Sequence, residues 1–246
     1  MPRFTENGVT IDYAVAGPDD GVPLLLIMGL GMQGIAWPRA LVERFVAQGF
    51  RVITFDNRDV GLSTRYDDEP MPGWASIFLA RLLGRRLALP YGLADLADDA
   101  ARLLAHLHVD RAHVAGMSMG GMIAMHLAAR HPARVASLTL MSTSTGRLGL
   151  PPPRPRVMRV ALTKPGPRSG VDEAVAYSTR MFTAIGSPAY PTPPDEMVRR
   201  ARVHAERAPR GTGVMRQLAA LTVDGDRRPL LGKLAVRTLI LHGADD

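Results

Sequence analysis

The sequence predicts an α/β protein: a mostly parallel β-sheet with helices on both faces, interrupted late in the chain by a helical insertion. Three observations carry that prediction. Through residues 1–146, short apolar runs of strand character alternate with longer runs at helical spacing, the order produced when parallel strands are joined by covering helices. From 147 to 232 strand patterns give way to amphipathic helical ones, and a strand pattern returns only in "VRTLILHG". The chain has 246 residues, of which 46% are hydrophobic and 22% charged, enough for one large buried core.

Each element follows from its local pattern. Two strands precede "LLLIMG", and the second, "TIDYAVAG", alternates apolar and polar residues. "LLLIMG" and "RVITFD" are short apolar runs of buried-strand type. Between them, "PRALVERFVAQGF" sets Leu41, Val42, Phe45 and Val46 at helical spacing, with Pro38 at the helix start. "YGLADLADDAARLLAHLHVD" puts Leu93, Leu96, Ala100, Leu103, Leu104 and Leu107 on one helical face. A strand "AHVAG", a helix "MGGMIAMHLAARH" and a strand "VASLTLMS" complete this half. "TGRLGLPPPRPRV" is dense in Pro and Gly and marks a boundary. Beyond it, "VDEAVAYSTRMFTAIG" and "PDEMVRRARVHAERA" read as amphipathic helices. "WASIFLARLLGRRLALP" reads as a short amphipathic helix beside the same cleft, too short to anchor in a membrane.

Composition narrows the function classes. There is no cysteine, which removes disulfides, thiolate metal sites and a cysteine nucleophile. No apolar run is long enough to span a bilayer, and "MPRFTENG" lacks a secretory apolar core, so a cytoplasmic location is the default expectation. The net charge of +7 is uneven: residues 147–233 carry 16 basic against 7 acidic side chains. Such a stretch attracts acidic or lipid-like ligands, or is simply a solvated arginine-rich surface. Nucleic acid and stable membrane insertion are not expected. "HLH" has no convincing metal partner, and neither metal nor cofactor is expected.

Two glycine motifs compete for the chemistry. "GLGMQG" places Gly29, Gly31 and Gly34 after a strand, with Asp56 closing the next strand, as in a dinucleotide-binding turn of a nicotinamide-dependent oxidoreductase. Pro38 weighs against it, because a helix running on from Gly34 would lose a hydrogen bond there and clash. The second motif, Gly116-Met117-Ser118-Met119-Gly120, sits between strand and helix. A serine on that sharp turn is a nucleophile candidate, with an N-capping serine as the structural alternative. The glycine loop then has a second use, since acyl transfer needs two amides aimed at the developing oxyanion. Met119, after the serine, and Leu30, in the loop after the earlier strand, would supply them.

"LLLIMGLGMQ", "VITFDNRDVGLS", "PYGLADLADDA", "AHVAGMSMGGMIA" and "LILHGADD" resemble the α/β-hydrolase superfamily over essentially the whole chain, and within it the branch of capped esterases and lipases containing aclacinomycin methylesterase. The resemblance implies a core over 1–146, a helical cap over 147–232, and a core strand leading to the catalytic acid over 233–246. It implies a carboxylic ester hydrolase with Ser118 as nucleophile, Asp246 as acid and Asp245 as its neighbouring fallback. Serine at 118 sets it apart from relatives that use aspartate. Asp56, Arg58, Gly61 and Ser63 are expected to be structural, under the site entrance. Met181, Phe182, Ile185 and Tyr190 would form an apolar wall for a small ester, unless they merely pack within the cap. The family's histidine follows a further strand, and none of the seven histidines fits that role. The expectation is that a last strand, histidine loop and helix lie outside this sequence, leaving the 246-residue form nearly inert. A catalytically silent ligand-binding protein is the competing class.

Overall fold

The computed structural model describes residues 2–244, apart from 86, 152, 164–165, 167–169 and 209–211. Among these residues, seven strands form one sheet in the order β1-β2-β4-β3-β5-β6-β7. β1 (Arg3–Glu6) and β2 (Val9–Ala16) form an antiparallel hairpin through Asn7 and Gly8, both at positive φ as a two-residue hairpin turn requires. β2 lies antiparallel to β4 (Phe50–Phe55). β3 (Val22–Ile27), β4, β5 (Ala112–Met117), β6 (Val135–Met141) and β7 (Thr238–Leu241) run parallel.

β3 shows why the central strands read as unbroken apolar runs. Its successive side chains point to opposite faces, and both faces are covered. Leu25 and Ile27 enter the core built with α3 (Leu93–His106) and α4 (Met119–Arg130). Leu24, Leu26 and the following Met28 pack against Leu41, Val42, Phe45 and Val46 of α1 (Arg39–Ala47) on the other side. The face read on α3 is the buried one: Leu93, Leu96, Ala100, Leu103 and Leu104 are fully enclosed. The amide of Gly92 donates to Asp95 at its N-terminus. α2 (Trp74–Leu83) stands between β4 and α3 in the chain.

Among the described residues, five helices separate β6 from β7: α5 (Pro155–Ala161), α6 (Val171–Ile185), α7 (Pro194–Arg207), α8 (Gly213–Asp224) and α9 (Arg228–Leu231). The arginines of this insertion do not simply form a solvated surface. Arg216 of α8 is 2% exposed and pairs with the fully buried Asp59 through two 2.8 Å hydrogen bonds. Arg207 of α7 donates to Asp12 of β2 at 2.5 Å and to Asp56 at 2.6 Å. Arg227 is equally buried and pairs with Asp224. A buried guanidinium needs such partners because its desolvation is otherwise uncompensated. Part of the excess positive charge is therefore cement between insertion and sheet. β7 forms one edge of the sheet, with Leu239, Ile240 and Leu241 exposed.

Candidate active site

Ser118 occupies the turn between β5 and α4 at φ 53°, ψ −119°, a conformation that costs a side-chain-bearing residue about 1–3 kcal/mol. The surroundings hold it there. Ser118 N donates to Met141 O at 2.9 Å, and Ser118 O accepts from Gly121 N at 2.9 Å, Met122 N at 3.3 Å and the Thr143 hydroxyl at 2.7 Å. A Cβ on Gly120 would collide with the carbonyl of Ile27, so only glycine lets α4 start this close to β3. The serine side chain makes no capping hydrogen bond and is exposed. The N-cap alternative fails on that point. Thr143 was not legible from sequence, since "STST" marks nothing more than a strand end.

The loop after β3 lies directly against the serine: a Cβ on Gly29 would stand 3.2 Å from Ser118 Cβ and 3.8 Å from Oγ. Leu30 follows in that loop, partly buried, and Met119 is fully buried as the first residue of α4. First-turn helix amides lack intrahelical acceptors, which leaves the Met119 amide at the positive end of α4. The next amide of the loop, Gly31 N, donates to Gln217 Oε1 at 2.8 Å, while Gln217 Nε2 donates to Arg58 O at 2.9 Å. Gln217 belongs to α8 and is completely buried.

The dinucleotide alternative is overturned here. Gly34 N donates to Asp56 Oδ1 at 2.7 Å, so the carboxylate that would hold the ribose is engaged by the glycine loop itself. Only a single 3-10 turn, Gly34–Ala36, follows, and α1 starts afterwards with Pro38 as its N-cap. Asp56 also accepts from Leu62 N and Arg207, and Ser63 donates to the Asp56 carbonyl at 2.6 Å. Gly61 is at φ 57° against the Asp56 carboxylate. Arg58 grips Asp99 with two hydrogen bonds at 2.6 and 2.8 Å. Burial acts to lower its pKa, but Asp99 outweighs burial and raises it. Tyr91 donates to Asp59 at 2.7 Å, and burial together with that carboxylate pushes its phenol far above the ordinary range. The loop thus carries the structural roles expected of it.

Asp246 and Asp245 lie outside the described residues. His106 contacts the Tyr13 hydroxyl, His113 the Ser137 hydroxyl, His131 Asp98, and His242 the Gly243 carbonyl. His126 Nε2 lies 2.9 Å from Asp224 as an ion-pair contact. The carbonyl of His204 accepts from Gln33. Among the described residues no histidine ring hydrogen-bonds to Ser118 Oγ, and no cluster of three or more His, Cys, Asp or Glu side chains could hold a metal.

A cleft of 510 Å³ is lined by Phe78, Leu79 and Leu82 of α2, Met122 of α4, Leu148 and Leu221. Met122 is about one helical turn beyond Ser118. This cleft is not built from the apolar residues singled out in the insertion. Ile185 and Tyr190 are 53% and 85% exposed, and neither they nor Met181 and Phe182 line this cleft. Helical periodicity alone cannot say whether an apolar residue faces a cleft, a neighbouring helix or water.

A mixed sheet with an antiparallel start, a positive-φ serine after β5 and a helical insertion after β6 defines the α/β-hydrolase class. The chain belongs to the alpha/beta hydrolase fold family, whose sequence model matches residues 22–246. It is 38% identical over 139 residues to rhodomycin D methylesterase DauP of Streptomyces sp. (strain C5), and equally so to rhodomycin D methylesterase DnrP of Streptomyces peucetius. Those matches cover 56% of this chain and 40% of each relative, so the match spans less than half the relatives' length. A hydrolase from Pseudomonas aeruginosa PA01 superposes with a TM-score of 0.66 at 26% identity, covering 99% of this chain and 80% of that one.

Proposed function

We propose that this protein is a serine hydrolase cleaving carboxylic esters through an acyl-enzyme on Ser118. One observation carries the proposal: a strained, exposed serine whose hydroxyl has no capping task, set against the glycine loop that follows β3. Ser118 Oγ attacks the ester carbonyl as a histidine base accepts its proton. The amides of Met119 and Leu30 stabilise the oxyanion. The imidazolium protonates the departing alcohol, and water then releases the acid. Asp246, or its neighbour Asp245, orients the histidine. Residues 147–232 act as a cap over the core of 1–146, and 233–246 carry the acid. The similarity to two methylesterases supports ester chemistry. The cleft wall of Phe78, Leu79, Leu82 and Met122 favours esters with an apolar, lipid-like portion.

The test is hydrolysis of p-nitrophenyl acetate and butyrate by a form of the protein that also carries a catalytic histidine, and by its Ser118→Ala variant. The expected loss is on the order of 10⁴-fold or more; equal rates would sink the proposal. A ligand-binding protein without turnover is the second reading, favoured by the absence of a histidine on Ser118 Oγ among the described residues. It is distinguished by saturable ester binding with no Ser118-dependent rate.

A further inference from the structure

The 510 Å³ cleft combines two kinds of lining. Phe78, Leu79 and Leu82 of α2 and Met122 of α4 give it an apolar wall. Its charged lining, among the described residues, is Arg81 and Arg227, with no carboxylate. The two guanidiniums converge on Gly146. Arg81 donates to the Gly146 carbonyl, and Arg227 Nη2 would stand 2.7 Å from a Cβ on that residue. Gly146 is at φ 70°, where a side chain would be strained as well as blocked, so only glycine lets the segment after β6 touch both arginines.

The carboxylates that reach these arginines are already shared. Arg227, 2% exposed, pairs with Asp224, which also meets His126 at 2.9 Å. Arg227 Nη2 reaches the Ser144 carbonyl only at 3.5 Å, and its Nε has no hydrogen-bond partner among the described residues. Arg81 makes one hydrogen bond among those residues, the one to Gly146. Asp226 attracts Arg81 electrostatically, but Arg228 holds both oxygens of that carboxylate at 2.7–3.1 Å. Three arginines, Arg81, Arg227 and Arg228, thus meet two carboxylates, Asp224 and Asp226. With His126 neutral, one positive charge is in excess, and the guanidiniums in the cleft have donors to spare.

We infer that this cleft binds an amphipathic monoanion, a carboxylate on an apolar chain. The chain lies along Phe78, Leu79, Leu82 and Met122, and the carboxylate accepts hydrogen bonds from Arg81 and Arg227 at Gly146. A neutral ligand of the same shape gains the wall alone. A cation meets the excess positive charge, and a dianion brings more charge than the cleft offsets. The inference adds a ligand class to ester cleavage and stands apart from it, since occupancy is measured without turnover.

The experiment is isothermal titration calorimetry of the protein with octanoate, octanol and octyltrimethylammonium. One octanoate per chain is expected, with octanol about tenfold weaker or more and octyltrimethylammonium not binding. Arg81→Leu should lower octanoate affinity about tenfold while leaving octanol affinity unchanged, a split that loss of structure alone would not produce. Leu82→Glu, at a position 70% exposed, should exclude octanoate by setting a like charge on the wall. Unfolding midpoints confirm that both variants remain folded. No octanoate binding, equal affinity for octanoate and octanol, or an Arg81→Leu variant that weakens both alike would each overturn the inference. None of the ligands is an ester, so these outcomes leave the Ser118 proposal to its own test.

Discussion

Gln217, buried in α8, accepts the amide hydrogen of Gly31 at 2.8 Å and thereby ties the helical insertion to the loop beside Ser118. Its other end donates to the Arg58 carbonyl, so one side chain bridges two core loops. Gln217→Leu leaves a buried amide and a buried carbonyl unpaired. It is expected to cost about 2–4 kcal/mol by urea denaturation. If Leu30 supplies an oxyanion amide, the loosened loop lowers kcat about tenfold or more with little change in KM. A variant that lost stability but kept kcat would separate the structural role from the catalytic one.

The strain at Ser118 predicts a trade between stability and function. Glycine adopts φ 53° without penalty, and the serine side chain contributes no capping bond. Ser118→Gly should therefore raise the unfolding free energy by about 1 kcal/mol while removing turnover. Thermal unfolding beside Ser118→Ala, which keeps the Cβ, isolates the backbone effect. A destabilised Ser118→Gly would show that the hydroxyl does structural work.

Arg216 and Asp59 form the most enclosed ion pair between the helical insertion and the loop after β4 among the described residues, with side chains 2% and 0% exposed. Removing one partner strands the other. Arg216→Met is expected to cost about 3–5 kcal/mol. Asp59 also accepts from Tyr91 and Tyr66 N, so Asp59→Asn should disturb the loop between β4 and α2 as well. A double-mutant cycle reads the coupling directly, and additive losses would mean that the pair is not coupled.

Asp224 predicts acid sensitivity. Burial alone would raise its pKa, but His126 and Arg227 outweigh burial and hold it below the ordinary carboxylate range. A group depressed on folding stabilises the protein above its unfolded pKa of about 3.9 and loses that contribution as pH falls through the folded value. Asp224→Asn should be less stable than wild type at neutral pH, with the two converging below about pH 4. Urea midpoints across that range provide the check; a constant difference would remove Asp224 as the source.

Periodicity made the architecture legible. "LLLIMG" and "RVITFD" read as short runs of strand character and are strands, and the α3 face from Leu93 to Leu104 is the one the structure encloses. The turn at Ser118 was legible because strand, glycines and helix are adjacent in the chain, and so was the structural use of Asp56 and Ser63. The partners of those residues were not. Arg207, Arg216 and Gln217 lie more than 140 positions from the loops they bind, and in "VHAERA" and "GVMRQLAAL" they look like ordinary polar positions on a helix.

The sequence by itself thus determined which segments become strands and helices, and where a serine must sit on a strained turn, because both depend on neighbours within a few residues. Only the tertiary structure decided that the insertion's arginines are partly buried cement, that Gly34 and Asp56 satisfy each other, and that α2 rather than α6 walls the cleft. Those outcomes rest on desolvation and pairing between groups far apart in the chain, which no local pattern encodes.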